Sequence, residues 1–149
     1  MPSEKKPADQ TLRIENQLCF ALYSTSLAMT KMYKPILDAL GLTYPQYLVM
    51  LVLWEEDGLM VSEIGERLFL DSGTLTPLLK RMEASGLLAR MRDTEDERRV
   101  RVKLTAAGNS LRAKATDIPS CVQDITGCSL LELISLGENI KTFRQLLMR

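Results

Sequence analysis

Apolar positions recur along most of this chain with a helical period, and the breaks in that period mark its joints. From about Thr11 to Leu40, Ile14, Leu18, Leu22, Met29, Met32, Ile36 and Leu40 mark one apolar face, which predicts a long helix. Pro35 has no N–H, so a bend or split is expected near Tyr33. Gly41 is the expected stop. Thr43 and Gln46 stand at capping-box spacing, with Pro45 in the first turn. They open a helix to about Glu56, with Tyr47, Leu48, Leu51, Val52 and Trp54 expected inward. Asp57-Gly58 reads as a turn and Leu59 to Val61 as a short strand.

Between Ser62 and Thr105 the rhythm changes twice. Ser62 is the expected N-cap of a short helix carrying Ile64 and Leu68 on one face. Phe69, Leu70, Asp71 and Ser72 form a turn. A second helix starts near Gly73, capped by Asp71 or Ser72, with Leu75, Leu78, Leu79 and Met82 inward. Gly86 after Ser85 stops it. The period then falls to two: Val100, Val102 and Leu104 alternate with Arg99, Arg101 and Lys103. A partner strand is expected near Leu87 to Arg92, joined by the polar loop Asp93 to Arg98.

Helix, tight turn, helix, strand, charged loop, strand is the order of a winged helix-turn-helix, which reads double-stranded DNA. The expected DNA-facing groups are Ser72, Thr74, Thr76, Lys80 and Arg81 on the second helix, small polar and cationic side chains suited to base edges and phosphates. Arg90 and Arg92 lie on one side of the first wing strand. Arg98, near the loop tip, suits a minor groove; Arg99 follows it, and Asp96 is placed to hold the loop in shape.

Beyond the wing, Thr105 caps a helix from Ala106 that Pro119 weakens or kinks and Gly127 ends. Ser129 caps a final helix, with Glu132 at the capping-box position. Its Leu130, Leu133, Ile134, Leu136, Ile140, Phe143, Leu146 and Leu147 are apolar nearly all round. Both chain ends therefore need a partner surface, and a homodimer supplies one. A dimer also sets two recognition helices roughly 34 Å apart, as a palindromic operator requires. The expected fold is mainly α with a small β-wing. Residues 1–10 read as a flexible tail and 11–149 as one domain, with 62–105 as its core and 11–40 and 106–149 as dimerisation helices.

Composition narrows the chemistry. A chain of 149 residues can bury a core. No apolar run is long enough to cross a bilayer and no signal-peptide pattern is present, so a cytoplasmic protein with no membrane partner is expected. Formal net charge is zero, so DNA contact must come from a local patch, here Lys80, Arg81, Arg90, Arg92, Arg98, Arg99, Arg101 and Lys103. Histidine is absent, which removes the commonest general base and metal ligand. No metal, cofactor or catalytic set is expected. Cys19, Cys121 and Cys128 lack zinc-site spacing and start as thiols in a reducing cytosol.

The wing's DERR, followed by LTAAG, resembles the MarR family of bacterial repressors. Within it, QLCFALY (17–23), YKPILDALGLTYPQYLVMLVLWE (33–55) and LDSGTLTPLLKRME (70–83) resemble the OhrR subfamily, whose members sense organic hydroperoxides and repress genes for peroxide resistance. The resemblance covers about residues 11–149. It implies that Cys19 is the redox-sensing thiol and that Tyr33 and Tyr44 hydrogen-bond it. Cys121 and Cys128 are the two possible resolving cysteines, with a small external thiol as the other route.

Attack on a hydroperoxide needs a thiolate, an accessible sulfur and donors for the charge. Tyr33 lies fourteen residues after Cys19, roughly 21 Å along a continuous helix. Two first helices antiparallel across a dimer axis bring Tyr33 of one chain toward Cys19 of the other. The inferred site is therefore shared between subunits, with Tyr23 as a third candidate donor one turn from Cys19. Two alternatives use the same residues. A repressor released by a non-covalent ligand would still respond as Cys19→Ser. A thiol peroxidase would turn over repeatedly, but the strand-helix alternation of a thioredoxin-like enzyme is missing, so an enzyme is not expected.

Overall fold

The first apolar stripe folds in pieces. In the computed structural model, which describes residues 7–149, Pro7–Thr11 is a short helix (α1), Ile14–Asn16 a single 3-10 turn and Leu18–Asp38 a long helix (α2). Residues 7–10 of the expected tail are thus helical, while Met1 to Lys6 lie outside the described residues. The long helix begins at Leu18 rather than Thr11. Side chains cause the break: Gln17 Nε2 donates to the Thr11 and Arg13 carbonyls at 2.7 and 2.9 Å, and Asn16 Nδ2 to that of Gln10 at 2.6 Å. Those carbonyls are taken from the ladder that would have continued the helix. Of the bend or split expected at Pro35, the split does not occur, since α2 runs continuously through it. It sits one turn from the end, so its missing N–H removes one bond, and buried Leu37 anchors the last turn.

Helix α3, Tyr44–Glu55, opens with the expected capping box: Gln46 N donates to Thr43 Oγ1 at 3.4 Å and Thr43 N to Gln46 Oε1 at 3.1 Å. Val49, Met50 and Leu53 are fully buried, with Tyr47, Val52 and Trp54 close behind. Leu51, expected inward, is 40% exposed. Helix α3 packs against α2 and the two helices that follow, and Leu51 lies on the side those contacts leave open.

Strand β1, Leu59–Met60, runs straight into α4, Val61–Leu68. Ser62 is therefore inside the helix and not its cap. Met60 holds that position, and its N–H donates to Glu63 Oε1 at 3.2 Å. The turn is Phe69 to Asp71, with Phe69 left-handed at φ 58°, a conformation that costs an ordinary L-residue roughly 1–2 kcal/mol. Helix α5, Ser72–Ala84, is capped by Asp71, whose Oδ1 accepts from Thr74 N at 2.7 Å. Leu75, Leu78, Leu79 and Met82 are all buried, as their spacing predicts. Gly86, at φ 79°, closes the helix: its N–H reaches Glu83 O at 2.9 Å and that of Leu87 reaches Met82 O at 3.1 Å.

Strands β2 (Leu88–Arg92) and β3 (Val100–Leu104) complete an antiparallel sheet of order β1-β3-β2, in which Val102 pairs with both Leu59 and Arg90. Helix α6, Ala106–Ala115, follows Thr105, whose Oγ1 donates to Gly86 O at 2.6 Å and accepts from Gly108 N at 3.2 Å. Gly108 has no room for a side chain, since a β-carbon there would collide with the Leu87 carbonyl. Its own carbonyl accepts from Trp54 Nε1 at 3.0 Å. The first compact unit ends here, at Asn109.

The second unit, Ser110–Arg149, holds the rest of α6, then α7 (Ile118–Thr126) and α8 (Leu130–Leu147). The break between α6 and α7 falls at Thr116 and Asp117, ahead of Pro119. The proline lies in the first turn of α7, where no N–H is needed. Gly127 ends α7. Ser129 and Glu132 form the expected box on α8, at 3.0 and 3.1 Å. No residue of α8 is buried, and Leu131 and Leu147 are 78% and 66% exposed.

Candidate functional site

Helix α5 and the wing present one polar face. Ser72, Thr74, Lys80 and Arg81 are exposed and Thr76 is half-buried. The wing loop is organised by Asp96, whose Oδ1 accepts from Arg98 N at 3.1 Å and Arg98 Nε at 3.2 Å, with Arg99 Nε at 3.7 Å from Oδ2. The Arg98 guanidinium holds the Asp96 carboxyl below the usual carboxylate range. Arg98 is nonetheless 92% exposed. A cleft of about 310 Å³ lies between the start of α4, α5 and the wing, lined among others by Ser62, Ser72, Thr76, Arg98 and Arg99.

Three other arginines of the expected patch have internal partners. Arg90 is half-buried: its backbone N donates to Glu83 Oε2 at 2.8 Å and its guanidinium to Glu83 Oε1 at 3.1 Å. That contact ties α5 to β2. Arg92 Nη1 donates to Glu97 O at 2.9 Å, across the loop. Arg101 Nη1 donates to Gly58 O at 2.6 Å and pairs with Asp93 at 3.5 Å. These three shape the wing, and no sequence spacing signals the Glu83–Arg90 contact because a turn intervenes.

The second constellation lies on α2 and α3. Cys19, the second residue of α2, is exposed and carries a free thiol. Tyr23, one turn on, is exposed as well. Tyr33 stands far along the same unbroken helix, its ring tilted 39° against that of Tyr44 with centroids 4.8 Å apart. Burial, aided by the neighbouring Tyr44 and Tyr47, pushes the Tyr33 phenol up to about 12, and burial raises Tyr44 as well. Both hydroxyls thus stay protonated at neutral pH and remain donors. Tyr47, which sequence reasoning placed only in the core, touches both rings. Its spacing of three from Tyr44 was a legible signal. Cys121 and Cys128, in the second unit, are free and half-buried. The former lies in α7 and the latter past its end, so no continuous helix joins them.

Residues 31–115 match the family described as transcriptional regulator SarA/Rot. Over 136 residues the chain is 51% identical to the organic hydroperoxide resistance transcriptional regulator of Bacillus subtilis (strain 168), covering 91% of this chain and 88% of that one. The chain is an OhrR-type transcriptional regulator of the MarR family. The crystal structure of AbfR of Staphylococcus epidermidis superposes on this OhrR-type chain with a TM-score of 0.75 at 37% identity, over 97% of this chain and 100% of that one. AbfR has also been solved reduced on DNA (TM-score 0.72, 34% identity, 95% and 99% coverage), overoxidized on DNA, and with a disulfide formed.

As an OhrR-type regulator the protein is not an enzyme, and its three-stranded sheet and α4–α5 pair are the winged helix of MarR-type regulators. Among the described residues no cluster of His, Cys, Asp and Glu is placed to hold a metal ion. No helix among them is long and apolar enough to cross a membrane.

Proposed function

We propose that this regulator is a homodimeric repressor in the cytoplasm that leaves a palindromic operator when an organic hydroperoxide oxidises Cys19. One observation carries the reading. Cys19 is exposed at the start of α2, and Tyr33, in contact with Tyr44 of α3, lies toward the other end of the same unbroken helix. Roughly 21 Å separates Cys19 from Tyr33 along one chain. A second copy, its α2 antiparallel, brings the two together and also covers the exposed Leu18, Phe20, Leu27 and Met29. Residues 11–149 then act as one regulatory domain, with 11–40 and 106–149 building the interface.

The chemistry balances with these groups. The Cys19 thiolate attacks the terminal peroxide oxygen and the O–O bond breaks. Sulfur becomes a sulfenate, and the departing alkoxide takes a proton to leave as an alcohol. The neutral phenols of the partner's α2 and α3 donate to the charged sulfur. A sulfenic acid then condenses with a thiol, from Cys121, Cys128 or a small external thiol, to give a disulfide and water. AbfR is described overoxidized and still on DNA. For this chain that favours a disulfide, over added oxygen alone, as the step that displaces α2. Because α2 builds the interface, its movement changes the spacing of the two α5 helices and spoils docking on both half-sites.

On the operator, Ser72, Thr74, Thr76, Lys80 and Arg81 read the major groove and Arg98, held by Asp96, the minor groove. Arg99 lies beside it for phosphate, and Arg90 and Arg92 act mainly through the wing's shape.

The test is fluorescence anisotropy of labelled operator with and without cumene hydroperoxide, paired with intact-mass and non-reducing gel analysis. Wild type is expected to release the operator. Cys19→Ser is expected to bind like reduced wild type and ignore peroxide, and Tyr33→Phe and Tyr44→Phe to bind DNA and respond more slowly. Release of Cys19→Ser at the wild-type dose would sink the mechanism.

A further inference from the structure

Tyr47 is the buried member of a cluster of three tyrosines. Its ring lies 6.0 Å from Tyr33 and 6.4 Å from Tyr44, tilted 40° and 52° to them. Tyr44 and Tyr47 are the first and fourth residues of α3 and so share one face of the helix. The Thr43–Gln46 box fixes that first turn, and Tyr47 N donates to Thr43 O at 2.9 Å. Tyr47 is only 6% exposed, whereas Tyr33 and Tyr44 are half-buried. A half-buried phenol on a helix surface can swing its hydroxyl between rotamers. A ring braced against a fixed neighbour cannot do so freely.

We propose that Tyr47 is a positioning residue of the sensor: its ring, not its hydroxyl, holds Tyr33 and Tyr44 in the orientation that meets the partner's sulfur. The proposal rests on Cys19 being the oxidised thiol. Tyr47 makes no contact with the sulfur and acts through the two rings it backs. Donors held in place need no reorganisation when charge develops, and a misplacement of about 1 Å can cost a hundredfold in rate. The effect belongs to the oxidation step and leaves the DNA-reading face, α5 and the wing, untouched.

The experiment measures the rate of Cys19 oxidation in the full-length reduced protein by quench-flow and mass spectrometry of the Cys19 peptide, with cumene hydroperoxide as the probe. Operator affinity of the reduced form is measured alongside. Tyr47→Leu removes the brace and is expected to slow oxidation about tenfold or more at wild-type operator affinity. Tyr47→Phe keeps the ring and is expected to retain the wild-type rate. Tyr47→Met, which fills the site with a flexible chain, carries the same expectation as Tyr47→Leu should that variant fail to fold. A wild-type rate in Tyr47→Leu or Tyr47→Met overturns the proposal, as does a Tyr47→Phe rate as low as theirs. Cys19→Ser is run in parallel: peroxide-driven release of that variant overturns the sensor reading and the proposal with it. A normal Cys19→Ser result with an unslowed Tyr47→Leu overturns the proposal alone.

Discussion

Helix α5 buries Leu75, Leu78, Leu79 and Met82 within its own unit, whereas α8 leaves Leu131, Ile134, Leu136 and Leu147 at least half exposed in the protomer. Both helices start on well-made caps, Asp71 to Thr74 and Ser129 to Glu132. Local structure is therefore equally determined in the two. The difference lies in what covers the apolar face. An apolar stripe states that a surface must leave water, at roughly 25 cal/mol per Å². It does not state what will cover it. In α5 the cover is α3, α4 and β2; for α8 we assign it to a second copy.

Removing Ser129 to Arg149 is expected to weaken operator binding about 100-fold or more, because two half-sites are no longer engaged together. A folded, monomeric truncate seen by sedimentation, with wild-type operator affinity, would reverse the assignment. The two helices also differ in how their losses depend on concentration. Leu79→Ala opens a hole in a closed core and is expected to cost about 2–5 kcal/mol, equal at low and high protein concentration in urea denaturation. Ile140→Ala in α8 is expected to lower the melting temperature chiefly when the protein is dilute, where dissociation precedes unfolding.

Smaller effects sharpen the picture. Arg98→Ala is expected to weaken operator binding about tenfold or more with no change in dimerisation, while Lys5→Ala leaves anisotropy titrations unchanged. Thr43→Ala removes half of the α3 capping box and is expected to cost about 0.5–2 kcal/mol, read as a uniform shift of the unfolding curve. The smallest effect is a pH dependence within the winged unit. Asp71, Glu83 and Asp96 are held below the usual carboxylate range by the Thr74 N–H, by the Arg90 N–H and guanidinium, and by the Arg98 guanidinium. Their folded forms bind protons less readily than the unfolded chain. The stability they add is complete above the ordinary carboxylate pKa of about 4 and is lost as pH falls through the lower folded values. Asp96→Asn is expected to melt below wild type near neutrality, where the charged carboxylate adds its full stability, and the gap is expected to close on acidification as wild type loses that contribution.

Signals spanning a few residues were legible before any fold was known. Thr43–Gln46, Ser129–Glu132, Thr105, Gly86 and Gly127 each mark a helix end through bonds made within one turn. The inward face of α5 and the alternation of β3 are equally local. The failures share a cause. Ser62 has the chemistry of a cap but falls inside α4, because β1 runs straight into that helix, and Leu51 lies on the side of α3 that its neighbours leave open. Pro35 does not split α2, because it stands one turn from the end and buried Leu37 holds that last turn in place. Gln17 and Asn16 ended a helix by reaching back to carbonyls that periodicity treats as already bonded.

The site divides along the same line. Local pattern pointed to Arg98 and Asp96, in a charged loop between strands, whereas Cys19, Tyr33 and Tyr44 were singled out by the resemblance of their segments to OhrR-type regulators. The brace from Glu83 to Arg90, the bonding of Arg101 to Gly58 and Asp93, and the wedge of Tyr47 behind two half-exposed rings needed the tertiary structure. Each depends on atoms that lie near one another only after helices and strands have packed, and pair distances across a turn or between helices are not encoded in any one segment's period.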